Sequence, residues 1–177
     1  IYASPNRLIF AKEEWHLDLG EDLDFLGYET AIAGACAAAD AAGIERSEIV
    51  SALFGFDGFS GRMKIKRQDG QITFDSSNSG LKVKDVARAL DAATGRDLVV
   101  VVGEDSETVC EGMDIPALAN LLRLRKSEIA ALIIVGERLV PLAEELGAAT
   151  AKNLQDGLEK AQRCSPERLL SCVKCFR

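Results

Sequence analysis

A run of small polar residues, Asp75-Ser76-Ser77-Asn78-Ser79-Gly80, leaves an apolar strand-like stretch and leads into a helical one. In open parallel sheets, ligands gather beyond the carboxyl ends of the strands. At such an end the backbone N–H groups and the following helix N-terminus can receive an anion, and a carboxylate such as Asp75 can accept hydrogen bonds from ribose hydroxyls. The plainer reading of the same run is that Asn78 or Ser79 caps the helix. A second polar strand end, Gly103-Glu104-Asp105-Ser106, reads as an ordinary strand-to-loop turn in which Gly103 lets the chain bend. Charge collects near the first run. Residues 62–88 carry Arg62, Lys64, Lys66, Arg67, Lys82, Lys84 and Arg88 against Asp69, Asp75 and Asp85, a local excess of +4 in a chain of net charge −7. Such a field suits a phosphate-bearing ligand, and equally a solvated strand face.

Cys172-x-x-Cys175 has the spacing of a metal or redox pair. A structural zinc site needs four ligands, and Cys110, Cys164 and the single histidine, His16, stand at irregular distances with no second CxxC. A thioredoxin-type pair sits at a helix start, whereas this one ends a strand near the chain terminus. The two cysteines therefore read as incidental thiols, and stoichiometric zinc or a reducible disulfide would reverse that reading. His16, beside Trp15, reads as structural. Two absences bound the chemistry further. No G-x-x-x-x-G-K-[ST] phosphate loop, no G-x-G-x-x-G and no Ser/His/Asp or Cys/His set occurs, so the chain lacks a complete active site of its own.

The elements that must position these residues show two textures. Before Gly61, residues 7–11 are strand-like, and an Ala-rich stretch over 28–42 predicts a helix that Gly43 stops. Ser47 is placed to cap a second helix whose apolar face holds Ile49, Val50, Leu53 and Phe54. After Gly61, residues 62–66 and 71–75 predict a hairpin about Asp69-Gly70. Then follow a helix over 82–93, a buried strand over 98–102, a helix over 116–124, a strand over 131–135, a helix over 137–146, a short strand near Ala148, a helix over 153–161 and a strand over 169–173. Continuous apolar strands between amphipathic helices imply an α/β fold, a mostly parallel sheet with helices on both faces.

Composition narrows the class of protein. With 177 residues, 47% of them hydrophobic, the chain can bury a core, which argues against disorder. Its 28 acidic against 21 basic side chains argue against general nucleic-acid binding. The longest apolar runs are strand-sized, so no membrane helix is expected. Five unevenly spaced cysteines fit reduced thiols in a cytoplasm. A start at Ile1 without a signal-peptide pattern reads as an excised or processed piece.

One segment is specific enough to indicate a family. Gly43-Ile44, Ile49, Ala52-Leu53, Phe56, Gly58 and Gly61-Arg62-Met63, followed by Phe74-Asp75-Ser76-Ser77-Asn78-Ser79 and a helix, resembles the junction between the central and C-terminal domains of the Mur ligases. The resemblance implies a domain division of 1–61, the helical remnant of a central domain, and 62–177, a Rossmann-like C-terminal domain. It also implies an ATP- and Mg2+-dependent ligase that activates a small-molecule carboxylate as an acyl phosphate. Arg62 and Asp75 would then approach ATP, and Asn78 and Ser79 would face the substrate. The phosphate loop, magnesium ligands and modified lysine of that family belong to sequence upstream, so this portion alone is expected to be inactive.

The departures from the family pattern carry information too. Where many Mur ligases have His-Asn-x-x-Asn, this chain has Leu26-Gly27-Tyr28-Glu29-Thr30, so the usual asparagine contacts to ATP have no counterpart there. The Asp-Ser-Ser-Asn-Ser-Gly run and Val109-Cys110-Glu111-Gly112 look most like the archaeal branch that closes a ring of the nickel tetrapyrrole coenzyme F-430 of methanogens. The alternatives are a peptidoglycan-type, amide-forming muramyl ligase, and a non-catalytic Rossmann-like module that binds a phosphate-bearing ligand or a protein.

Overall fold

A computed structural model describes residues 2–4, 7–10, 13–16, 28–54, 56, 58–105 and 111–176. The chain forms two compact units, Ile1–Gly58 and Phe59–Arg177.

In the first unit, β1 (Tyr2–Ser4), β2 (Arg7–Phe10) and β3 (Glu13–His16) make a three-stranded antiparallel sheet in sequence order. Only the middle strand is legible in the sequence, because strands of three or four residues are too short to show alternation. The helices α1 (Glu29–Ala41) and α2 (Arg46–Phe54) follow. Gly43, at φ +79°, ends the first as expected. Ser47 lies inside α2 and does not cap it; the Glu45 carbonyl accepts the first-turn N–H groups of Glu48 and Ile49. Leu8, Tyr28, Ile32, Cys36 and Ile49 form this unit's core, with the rings of Tyr28 and Phe56 edge to face at 5.6 Å.

The second unit is a six-stranded sheet in the order β4-β5-β9-β6-β7-β8. Its strands are β4 (Lys64–Gln68), β5 (Gln71–Asp75), β6 (Leu98–Glu104), β7 (Ala131–Val135), β8 (Ala149–Ala151) and β9 (Arg168–Lys174). Only the β4–β5 hairpin is antiparallel; every other pairing is parallel. Asp69 and Gly70, at φ +51° and +80°, make the tight turn whose twist suits a hairpin. Between the strands run α3 (Val83–Ala93), α4 (Ile115–Arg125), α5 (Val140–Leu146) and α6 (Leu154–Gln162). The helix expected over 137–146 divides into a 3-10 turn, Glu137–Leu139, and α5, with Pro141 in its first turn.

Alternation along the buried strands assigns the two faces. Val100, Val102, Ile134, Leu170 and Cys172 pack with side chains of α3, α4 and α5. Val99, Val101, Ile133, Val135, Leu169 and Val173 pack with Ala161, Leu154 and Leu158 of α6. Strand β6 is buried at every position, as a central parallel strand covered on both faces must be. Helix α6 sits close to the sheet at Gly157, where a Cβ would come within 2.7 Å of Val101 Cγ1. Among the described residues no helix is long and apolar enough to cross a membrane.

At the carboxyl end of β6, Gly103 has φ +141°, and a Cβ there would lie 2.1 Å from the Val135 carbonyl oxygen. Gly103→Ala should therefore lower the unfolding free energy by about 2–4 kcal/mol in urea titration. Gly70→Ala, at φ +80° in open space, should cost about 1 kcal/mol. Equal losses would remove the argument from close approach.

Candidate functional site

Arg62 and Met63 precede β4 instead of opening it. Gly61 and Met63 both have positive φ, +73° and +57°, and the Arg62 N–H donates to the Phe59 carbonyl at 3.0 Å. The chain therefore turns tightly at 59–63 before it becomes a strand. This turn packs on the run that follows β5: a Cβ on Gly61 would meet the Ser77 carbonyl oxygen at 2.1 Å. Only glycine combines that φ with that proximity.

Asp75 ends β5 and binds the two segments together. Its Oδ2 accepts the Gly61 N–H at 3.0 Å and the Ser60 hydroxyl at 3.3 Å. Its Oδ1 accepts the Ser171 hydroxyl at 3.2 Å and the Ser77 N–H at 3.3 Å. Register explains the Ser171 contact, because Asp75 and Ser171 are direct partners across β5 and β9. The Ser77 hydroxyl, fully buried, accepts the Val173 N–H at 3.0 Å. Ser60, Gly61, Ser77 and Ser171 are thus part of the assembly, and sequence reading singled out none of their contacts. The signal of it in the sequence is Ser171, a lone hydroxyl within the apolar run Leu169-Leu170-Ser171-Cys172-Val173.

Asn78 does not cap α3. Its side-chain amide donates to the Gly61 and Ser76 carbonyls at 2.8 and 3.0 Å, and its Oδ1 accepts the Gly80 N–H at 3.0 Å. These bonds hold the turn and tie it to residue 61. Ser79 does not cap the helix either, since α3 begins at Val83 and the Asp85 carboxylate reaches back to the Lys82 N–H at 3.0 Å. The Ser79 hydroxyl has no hydrogen-bond partner among the described residues. Arg62 is exposed, and a Cβ on Gly80 would sit 3.9 Å from its Nη1. Its guanidinium has no hydrogen-bond or ion-pair partner among the described residues. The structure thus gathers Arg62, Asp75, Asn78 and Ser79 at one strand end, with Asp75 and Asn78 engaged and Arg62 and Ser79 available.

The second sequence candidate is more than a turn. Strand β6 runs on through Gly103 to a fully buried Glu104, while Ser106 lies outside the described residues. Of the cysteine pair, Cys172 packs with α3–α5, and Cys175, just past the end of β9, packs with the α6 side. Burial, with the negative charges of Asp75 and Asp85, pushes the Cys172 thiol far above the ordinary range. Cys110 and the side chain of His16 lie outside the described residues. Among those described, no three His, Cys, Asp or Glu side chains gather as a metal site.

The fold is like that found in Mur ligases and folylpolyglutamate synthases. The structure overlays a MurF crystal structure from Acinetobacter baumannii with a TM-score of 0.69 and 17% identity, covering 97% of this chain and 39% of that one. It overlays a folylpolyglutamate synthase from Thermotoga maritima with a TM-score of 0.65 and 12% identity, covering 92% of this chain and 39% of that one. Sequence narrows the class. The profile of the family described as "Coenzyme F430 synthetase CfbE, C-terminal domain" matches residues 65–175, and the chain belongs to that family. A coenzyme F(430) synthetase of Methanosarcina acetivorans is 35% identical over 159 residues, 85% of this chain and 34% of that protein. A UDP-N-acetylmuramoylalanine–D-glutamate ligase of Syntrophus aciditrophicus is 25% identical over 150 residues, 81% of this chain and 31% of that protein. The chain spans about a third of the length of these curated relatives.

The cysteine placement has a direct check. In the native chain at pH 8 a disulfide-exchange reagent should label the exposed Cys164 at once and the buried Cys172 only after unfolding, as read by peptide mass mapping. Labelling of Cys172 at the rate of Cys164 would contradict its burial.

Proposed function

We propose that this chain is the C-terminal portion of an ATP-dependent ligase that activates a carboxylate as an acyl phosphate for ring closure in nickel-tetrapyrrole, coenzyme F430, biosynthesis. On this reading residues 1–61 end a central domain and residues 62–177 are the C-terminal domain that closes on ATP. The observation that carries the proposal is the family match across residues 65–175. The organism of the 35% identical relative, Methanosarcina acetivorans, supports an archaeal, cytoplasmic setting linked to methanogenesis.

ATP supplies the γ-phosphoryl group that converts a poor carboxylate leaving group into phosphate. The terminal oxygen of the substrate carboxylate takes that group, ADP departs, and a carbon nucleophile of the same molecule then attacks the acyl carbon and expels phosphate as the ring closes. This chain's residues would bind and orient. Arg62 would bring an unengaged guanidinium to the phosphates, where fork-like donors neutralise charge best. Asp75 would accept the ribose hydroxyls. Among its donors are two hydroxyls, Ser60 and Ser171, at 3.3 and 3.2 Å, so a diol would replace like with like. Ser79 would present its hydroxyl to the substrate. Because no metal-ligating cluster forms among the described residues, the reading assigns Mg2+ and the phosphate loop to the rest of such a protein.

The test uses the full-length parent, assayed for ADP and phosphate with a seco-tetrapyrrole acid and, separately, a muramyl peptide with its amino-acid partner. Release with the tetrapyrrole supports the proposal, and release with the muramyl peptide alone replaces it with cell-wall chemistry. Silence with both favours a binding module. Arg62→Ala should raise the KM for ATP about tenfold or more, the cost of one charge-assisted contact. Asp75→Asn should do likewise, and is preferred to Asp75→Ala because the carboxylate also holds the 59–61 turn. An unchanged KM for ATP in either variant would remove that residue from the nucleotide site.

A further inference from the structure

Glu104, at the carboxyl end of β6, is buried to 0% exposure. An ionised carboxylate in such a place needs partners. Its Oε2 accepts the Met113 backbone N–H. Its Oε1 lies 3.1 Å from Arg138 Nη1, a charge contact without hydrogen-bond alignment, so this oxygen stays buried and without a hydrogen bond. Arg138 stands on the 3-10 turn just beyond β7, with its side chain 57% exposed. Two glycines make the contact possible. A Cβ on Gly112 would meet Arg138 Nη1 at 2.1 Å, and one on Gly136 would meet the Glu104 carbonyl oxygen at 2.5 Å.

A second cation flanks Glu104 from the other side. Lys174 ends β9 and is the register partner of Glu104, about one strand spacing of 4.8 Å away. Alternation carries both from the α3–α5 face, two positions beyond Val102 and Cys172 respectively. Lys174 is 7% exposed, and its ammonium has no hydrogen-bond or ion-pair partner among the described residues. The edge therefore sets one buried carboxylate between Arg138 and Lys174, with Asp105, whose N–H donates to the Lys174 carbonyl at 2.9 Å, next along the chain. For stability alone this is a poor arrangement, because apolar residues of similar volume do as well or better. What it provides is a guanidinium with Nη1 against Glu104 on a side chain that is 57% exposed, a fork of donors of the kind suited to a carboxylate.

We infer that the carboxyl ends of β6, β7 and β9 form a second anion site, in which Arg138 and Lys174 receive a carboxylate of the substrate other than the one activated. Glu104 is the positioning residue that holds Arg138. The identity of that carboxylate rests on the ligase reading; the anion site does not. Asp75 shares the α6 face with Ser171, so the two sites lie on opposite faces of one sheet edge.

The experiment is a ¹H–¹⁵N NMR titration of this 177-residue chain with tricarballylate, a small tricarboxylate, beside chloride at equal ionic strength and inorganic phosphate. Tricarballylate should shift the Arg138 Nε–Hε signal and the amides of residues 136–139 saturably. Arg138→Gln should abolish saturation, and Lys174→Met and Glu104→Gln should each weaken it about tenfold. Should Glu104→Gln fail to fold, the other two variants carry the test. A shift that chloride matches, or one unchanged in Arg138→Gln, overturns the site; tighter binding of phosphate than of tricarballylate overturns the carboxylate assignment. In the full-length parent Arg138→Gln should raise the KM for the polyacid substrate and leave that for ATP unchanged. If the parent turns over no substrate while the chain still binds tricarballylate, the ligase reading falls and the anion site stands.

Discussion

Strand β9 pairs with β5 on one side and β6 on the other, so the last strand in the sequence sets the spacing between two much earlier ones. Each polar assembly at the carboxyl edge follows from that insertion. Ser171 reaches Asp75 because the β5–β9 register aligns them, and Lys174 stands beside Glu104 because the β6–β9 register does. The Ser77 hydroxyl takes the Val173 N–H as β9 leaves the ladder, so the run after β5 is fastened to the strand that separates it from β6.

That geometry also explains how polar residues survive inside a core. Ser77 is fully buried and Ser171 is 1% exposed, and each has a hydrogen-bond partner 96 positions away in the sequence. A buried hydroxyl without a partner costs roughly 1–3 kcal/mol, so these pairings select the register as well as tolerate it. Slipping β9 by one residue would orphan both hydroxyls and turn Leu170 and Cys172 to the wrong face. The apolar alternation and the polar ends therefore specify the same arrangement.

Most of the second unit is legible in the sequence because its strands are continuous apolar runs and its helices are bounded by Gly, Pro and Asn. Residues 98–102 could hardly be anything but a central strand. The hairpin turn was equally plain, since Asp69-Gly70 demands positive φ at both positions. What escaped was long-range. Asn78 and Ser79 have the composition of caps, yet Asn78 spends its amide on residue 61, a contact that requires the 59–63 turn to fold back first. Resemblance alone pairs Arg62 with Asp75, whereas the hydroxyls around Asp75 depend on sheet order, which periodicity does not encode. Glu104 looked like a loop residue because a carboxylate after five apolar residues ordinarily marks the surface. Its burial depends on Arg138, 34 positions on and in a different element.

The two carboxylates at this edge differ in a way that follows from their donors. The partners of Asp75 include two hydroxyls and two N–H groups, and its hydroxyl contacts of 3.2 and 3.3 Å are longer than the usual 2.7–2.8 Å for O–H···O bonds. Such donors rotate away at little cost, and another hydroxyl can take their place. Glu104 is held by a main-chain N–H and a guanidinium, without access to water, so exchanging its partners would mean burying an uncompensated charge. One side of the edge is thus built to change partners and the other to keep them. A sheet that must bind a ligand while remaining folded needs both, and the strand that separates them, β9, is buried at every position after Arg168.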